Sequence, residues 1–201
     1  MPRRSKAAAD APAIDLSLRL FFALWPSPGA RDALAMLARE VSVETQGRAP
    51  ATANLHLTLA FIGSAPATRV GALQAAGQRA VMGVSPFTLT LDRIGAFRRA
   101  GVAWIGASMI PPQLDHLVRQ LSDALAAQGF ASERRAFEAH VTLARHCLRM
   151  TGPRVPEPIS WTPARLTLVA SDLSPEGPRY RELAGWALTG LPDNPQAAGI
   201  V

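Results

Sequence analysis

Two short stretches of this chain pair a titratable ring with a hydroxyl in the same pattern. Asn54-Leu55-His56-Leu57-Thr58-Leu59-Ala60 is echoed 84 positions later by Glu138-Ala139-His140-Val141-Thr142-Leu143-Ala144. Extended backbone turns successive side chains to opposite faces. His56 and Thr58 therefore share one face, about 6–7 Å apart, while Leu55, Leu57 and Leu59 share the other. His140 and Thr142 have the same arrangement, backed by Val141 and Leu143. The leucine side belongs in a core, which leaves an imidazole and a hydroxyl for solvent or ligand.

Histidine titrates near pH 6.5, so two imidazoles flanking one phosphorus can divide acid and base work between them. One takes a proton from water while the other protonates the leaving oxygen. Threonine hydroxyls donate to the non-bridging oxygens, whose charge needs support in the transition state. This suits opening of a cyclic phosphodiester without a metal. Because the echo is symmetric, spacing does not say which histidine gives the proton. A lone His-x-Thr in a strand is commonplace; two copies with matching apolar backing are the signal. Zinc ligation is the competitor, with His116 or His146 joining the pair. His146 shares parity with His140 but lies about 20 Å further along an ideal strand. His116 falls in a leucine-striped helix, off the stripe, and neither motif offers a matching carboxylate. The expected metal complement is none.

Strands and helices must position these motifs. Leu16–Leu24 reads as a strand, and Ser27-Pro28 supplies an N-cap and first-turn proline for a helix to about Val41. Strand Asn54–Ile62 stops at Gly63, and a weaker helix spans Ala67–Val81. Phe87–Ile94 and Val102–Met109 form a hairpin about the Gly95–Gly101 turn region. Pro111-Pro112 opens the clearest helix, with Leu114, Leu117, Val118, Leu121 and Leu125 on one stripe and Gly129 at its end. Ala139–Arg145, Arg165–Ser171 and Arg179–Leu188 complete the strands. This order favours an α+β fold over a doubly wound parallel sheet. Residues 1–14 and 191–201 read as tails around one domain at 15–190.

Composition narrows the class. With 201 residues, 48% hydrophobic and 18% charged, the chain is long and apolar enough for a real core. No apolar run approaches the roughly 20 residues of a membrane span, and the basic N-terminus leads into no signal-peptide core. The expectation is a cytoplasmic monomer. The single cysteine, Cys147, precludes an internal disulfide and reads as passive packing. A net charge of +6, carried almost wholly by arginine since Lys6 is the only lysine, suits an anionic ligand.

Arg19-Leu20-Phe21-Phe22-Ala23-Leu24, Asn54 through Gly63 and His140-Val141-Thr142-Leu143-Ala144-Arg145 resemble the RNA 2′,3′-cyclic phosphodiesterase family. That family, also called the 2′-5′ RNA ligase family, belongs to the two-histidine phosphoesterase superfamily. The similarity runs from about Leu16 to Leu188 and takes in Gly95, Phe97, Trp104, Tyr180, Leu183 and Trp186. The resemblance implies a bilobal fold, two pseudo-symmetric lobes each with an antiparallel sheet and flanking helices, and a cleft between them. It implies hydrolysis of a terminal 2′,3′-cyclic phosphate to a 2′-phosphomonoester with no metal or nucleotide cofactor, on RNA 3′ ends or small cyclic phosphodiesters. His56 matches the proton donor to the 3′ oxygen and His140 the acceptor that activates water. Thr58 and Thr142 match the phosphate-binding threonines, with Arg145 a further substrate contact if the strand twists or ends there. Arg98 and Arg99, beside the hairpin turn, are candidates for RNA phosphate contacts. Relatives often carry a proline where this chain has Ala139, and an aromatic where it has Ala49. Alternatives within the same chemistry are another small cyclic or 2′-5′ phosphodiester and reverse 2′-5′ ligation; the alternative outside it is a catalytically idle RNA-end-binding module.

Overall fold

A computed structural model describes residues 17–130, 137–150, 152, 154–174 and 177–190. The tails expected at 1–14 and 191–201 lie outside the described residues.

The most apolar strand sits in the middle. β1 (Ser17–Leu24) runs between β2 (Leu57–Pro66) and β8 (Arg165–Ser174), and both of its faces are buried from Leu20 onward. Leu20, Phe22 and Leu24 enter the main core beneath the helices, whereas Phe21 and Ala23 form a smaller cluster with Val169 on the opposite face. The seven-stranded antiparallel sheet has the order β4-β5-β6-β2-β1-β8-β9, with β4 at Arg93–Phe97, β5 at Val102–Gly106, β6 at His140–Ala144 and β9 at Gly177–Ala187. A small second sheet pairs β3 (Leu89–Leu91) with β7 (Ile159–Trp161).

Three helices cover one side of the sheet: α1 (Pro28–Thr45), α2 (Val70–Val81) and α3 (Pro112–Ala127). The predicted stripe of α3 is the buried one: Leu114, Leu117, Leu121 and Leu125 are each no more than 5% exposed, with Val118 at its margin. Each such leucine contributes about 1.5–3 kcal/mol of burial. Ser27 occupies the N-cap of α1 but makes no side-chain cap bond, so Pro28 and the packed face carry that start. The segment read as one strand at 87–94 is split. β3 joins the small sheet and β4 joins the large one, a division that local apolar pattern does not encode. β7 is three residues long and was not expected from the sequence, since so short a stretch shows no periodicity.

The two expected lobes meet edge to edge. β2 and β6 share a single ladder pair, Leu57 opposite Val141, after which they diverge. These are the residues that separate histidine from threonine in the two motifs, so the echo is brought side by side and antiparallel.

Candidate active site

The one-pair junction sets the geometry of the motifs. With Leu57 opposite Val141, His56 and His140 lie on the diagonal of an antiparallel pair, about 7–8 Å apart at their backbones. Leu57, Val141 and Leu143 are wholly buried, and the histidines and threonines are partly exposed on the other face.

Both rings are oriented in the same way. His56 Nδ1 lies 2.7 Å from the carbonyl oxygen of Asn54, and His140 Nδ1 lies 2.7 Å from that of Glu138. A carbonyl only accepts, so each Nδ1 carries the proton and each Nε2 is turned to the cleft. The two orienting residues are themselves tethered. Asn54 Nδ2 donates to the Pro178 carbonyl at 2.7 Å, and the Glu138 carboxylate pairs with Arg93. The Thr58 hydroxyl stands 3.0 Å from His56 Nε2, donating to it while the ring is neutral.

Aromatic rings wall both histidines. Phe21 stacks on His56 at 4.9 Å and Tyr180 meets it edge-on at 5.3 Å; Phe97 meets His140 edge-on at 5.0 Å and Trp104 lies 6.0 Å away. Burial accordingly pushes the His56 pKa down to about 4. The Asn54 carbonyl opposes that shift, while the Arg145 charge, and that of His140 whenever its ring is protonated, deepen it. His56 is therefore neutral in the free protein at neutral pH. Burial also raises the Tyr180 pKa, against the pull of Arg145 and Arg19.

The Trp104 indole packs over Gly95 of the neighbouring β4 and Gly106 of its own strand, where no side chain stands in its way. A Cβ on Gly95 would sit 2.3 Å from the indole, and one on Gly106 would sit 2.8 Å from it. Gly95→Ala must displace the ring that backs His140. The expected result is a loss of about 1–3 kcal/mol in denaturant unfolding, with weakened catalysis. Unchanged stability would show that the indole has room to move.

The cleft has a volume of about 880 Å³ and takes in all five predicted site residues: His56, Thr58, His140, Thr142 and Arg145. Strict alternation would turn Arg145 away. The structure brings it in through a bulge: Thr142 faces Trp104 and Ala144 faces Ala103, leaving Leu143 unpaired and reversing parity beyond it. β6 then ends, and Arg145 bonds through its backbone with Arg48 in both directions. His146 adopts a left-handed conformation (φ 54°) and lines the same cleft, although an ideal strand would carry it far from His140. Among the described residues no three His, Cys, Asp or Glu side chains cluster as metal ligands would. Phe97 and Ala100 line the cleft beside the exposed Arg98 and Arg99, which do not. Cys147 is half-buried against the core, as expected of passive packing.

Sequence reasoning did not single out Arg179, Ser174 and Asn54 as cleft residues. The β8–β9 hairpin brings in the first two. Its own pairing continues to Ser174–Gly177 although β8 leaves β1 after Ala170, so the hairpin end is free to reach over to Asn54. No local pattern signals such a reach. All charged side chains lining the cleft among the described residues are basic. Ala49 lines the cleft without an aromatic ring, and Phe97 and Tyr180 supply the cleft's aromatic surface instead.

Comparison with known proteins agrees with this architecture. The family model described as LigT like phosphoesterase matches residues 24–104. The RNA 2′,3′-cyclic phosphodiesterase of Escherichia coli is 35% identical over 174 residues, covering 85% of this chain and 97% of that protein. The protein of the same name from Thermus thermophilus is 29% identical, covering 90% and 96%. Among solved structures, Escherichia coli LigT complexed with 3′-AMP superposes with a TM-score of 0.78 at 34% identity, covering 87% of this chain and 99% of that one. With a relative this similar along nearly its whole length, and an α+β fold shared with LigT, the chain belongs to the LigT-like phosphoesterase family.

Proposed function

We propose that this protein is an RNA 2′,3′-cyclic phosphodiesterase that converts a terminal 2′,3′-cyclic phosphate into a 2′-phosphomonoester. The observation that carries the reading is the Leu57–Val141 register, which sets two Nδ1-anchored imidazoles side by side with both Nε2 atoms turned to one basic cleft. Relatives across several species bear this activity in their names, which supports the substrate class.

In this mechanism His140 Nε2 takes a proton from water as the water oxygen attacks phosphorus. The bond from phosphorus to O3′ breaks on the far side, and His56 Nε2–H protonates the departing oxygen. One water is consumed, and the product carries a 2′-phosphate and a free 3′ hydroxyl. The assignment of donor and acceptor follows the family likeness. His56 is neutral at neutral pH, so it must gain its proton together with the anionic substrate. Burial is the main cause of the low pKa, and the phosphate's negative charge offsets the Arg145 charge that adds to it. Thr58 then exchanges its bond to Nε2 for a non-bridging oxygen, with Thr142 and Arg145 beside it.

The test is RNA ending in a 2′,3′-cyclic phosphate, incubated with the protein in excess EDTA and analysed for its terminus. A 2′-phosphate is expected. A 3′-phosphate would reverse the leaving group, and an unchanged end bound in a salt-dependent manner would leave only an RNA-end-binding module. The protein is further proposed to act as a metal-free cytoplasmic monomer; no helix among the described residues is long and apolar enough to cross a membrane.

A further inference from the structure

The internal echo extends beyond the histidines. Leu143 stands unpaired on β6, and Leu59, at the same place in the first motif, stands unpaired on β2 between Thr58 opposite Ala23 and Ala60 opposite Phe22. Each bulge reverses parity, so the fifth residue after each histidine returns to the cleft face of the sheet. In the second motif that residue is Arg145. In the first it is Phe61, paired with Phe21, whose ring stacks on His56.

Phe61 is 49% exposed in an interior strand of the sheet. The Arg19 guanidinium lies over its ring, 4.8 Å from the centroid. Arg19 is itself exposed, and no carboxylate among the described residues pairs with it. Its strand parity is that of Phe21, and its charge reaches Tyr180, whose ring touches both Phe21 and His56. Beyond it the Ser17 and Ser64 hydroxyls bond to each other at 2.7 Å. A continuous strip thus leads from His56 through Phe21 and Tyr180 to an exposed aromatic ring capped by a cation, on the face that no helix covers.

We infer that Phe61 and Arg19 form a shelf on which the base of the nucleotide preceding the terminal cyclic phosphate stacks. The inference rests on the phosphodiesterase reading and names how that site selects an RNA strand over a mononucleotide. Every base offers a π-face to an aromatic ring regardless of sequence, and a guanidinium both stacks and meets the backbone phosphate. The strip is continuous with the all-basic cleft, so a strand seated on the shelf stays in one positive field.

The experiment compares two substrates with the same terminal nucleotide: a 2′,3′-cyclic mononucleotide, and a short RNA oligomer ending in the 2′,3′-cyclic phosphate. Wild type is expected to favour the oligomer in kcat/KM. Phe61→Ala should lower the oligomer value about tenfold, the size of one lost stacking contact, and leave the mononucleotide value unchanged. Phe61→Tyr should retain the preference, and Arg19→Gln should flatten the salt dependence for the oligomer alone. Equal losses on both substrates would mark Phe61 as structural and overturn the shelf, as would no loss on either. If wild type turns over neither substrate, the phosphodiesterase reading falls; equal oligomer affinity in wild type and Phe61→Ala would then overturn the shelf as well.

Discussion

His56→Ala and His140→Ala are each expected to lower kcat/KM on a 2′,3′-cyclic phosphate by about 10²–10⁴-fold, the contribution of a positioned general acid or base. Both proteins should fold. Each ring sits on the cleft face and is only partly buried, and its removal leaves Leu57, Val141 and Leu143 untouched in the core. The double variant should be little worse than either single, because the two groups act in one proton-transfer cycle. Circular dichroism and single-turnover kinetics on the three variants decide the matter. Near-native rates in either single variant would remove that histidine from the mechanism.

Arg145→Gln is expected to cost about 10²-fold in kcat/KM, the scale of losing one charge-stabilising donor at a phosphoryl group. It also carries a pH signature that mere loss of affinity would not. Burial is the largest cause holding the His56 pKa near 4, and the Arg145 charge adds to it. Removing that charge eases protonation of the imidazole, so the pKa rises. If His56 is the acid, the neutral ring of the free enzyme must take up a proton on the way to the transition state, and kcat/KM falls with increasing pH above that pKa. The falling limb should therefore move to higher pH in Arg145→Gln, while Arg145→Lys keeps the charge and holds the limb in place. A limb at the same pH in wild type and Arg145→Gln would belong to another group and would take the donor role away from His56.

How the chain divides between local and tertiary information is visible at particular residues. The alternation His56-Leu57-Thr58 and its echo at 140–142 determine which side chains face away from the core, since a period of two admits only one register once the leucine face is buried. The leucine stripe of α3 and the Phe-rich β1 are legible for the same reason: burial imprints a period on the residues themselves. The family likeness of the two motifs is likewise written in sequence order.

The side-by-side placement of the motifs is not written there. It depends on Leu57 meeting Val141, a contact between residues 84 positions apart that only the closed sheet selects. The reach of Arg145 into the cleft is also tertiary, because a bulge inserts one unpaired residue without altering the local pattern. So is the hairpin that carries Arg179 and Tyr180 to Asn54. The sequence by itself determined the two imidazole–hydroxyl pairs and the core that backs them. Only the tertiary structure decided their distance, their shared orientation and the depressed His56 pKa, because long-range strand pairing and desolvation depend on neighbours that local periodicity cannot name.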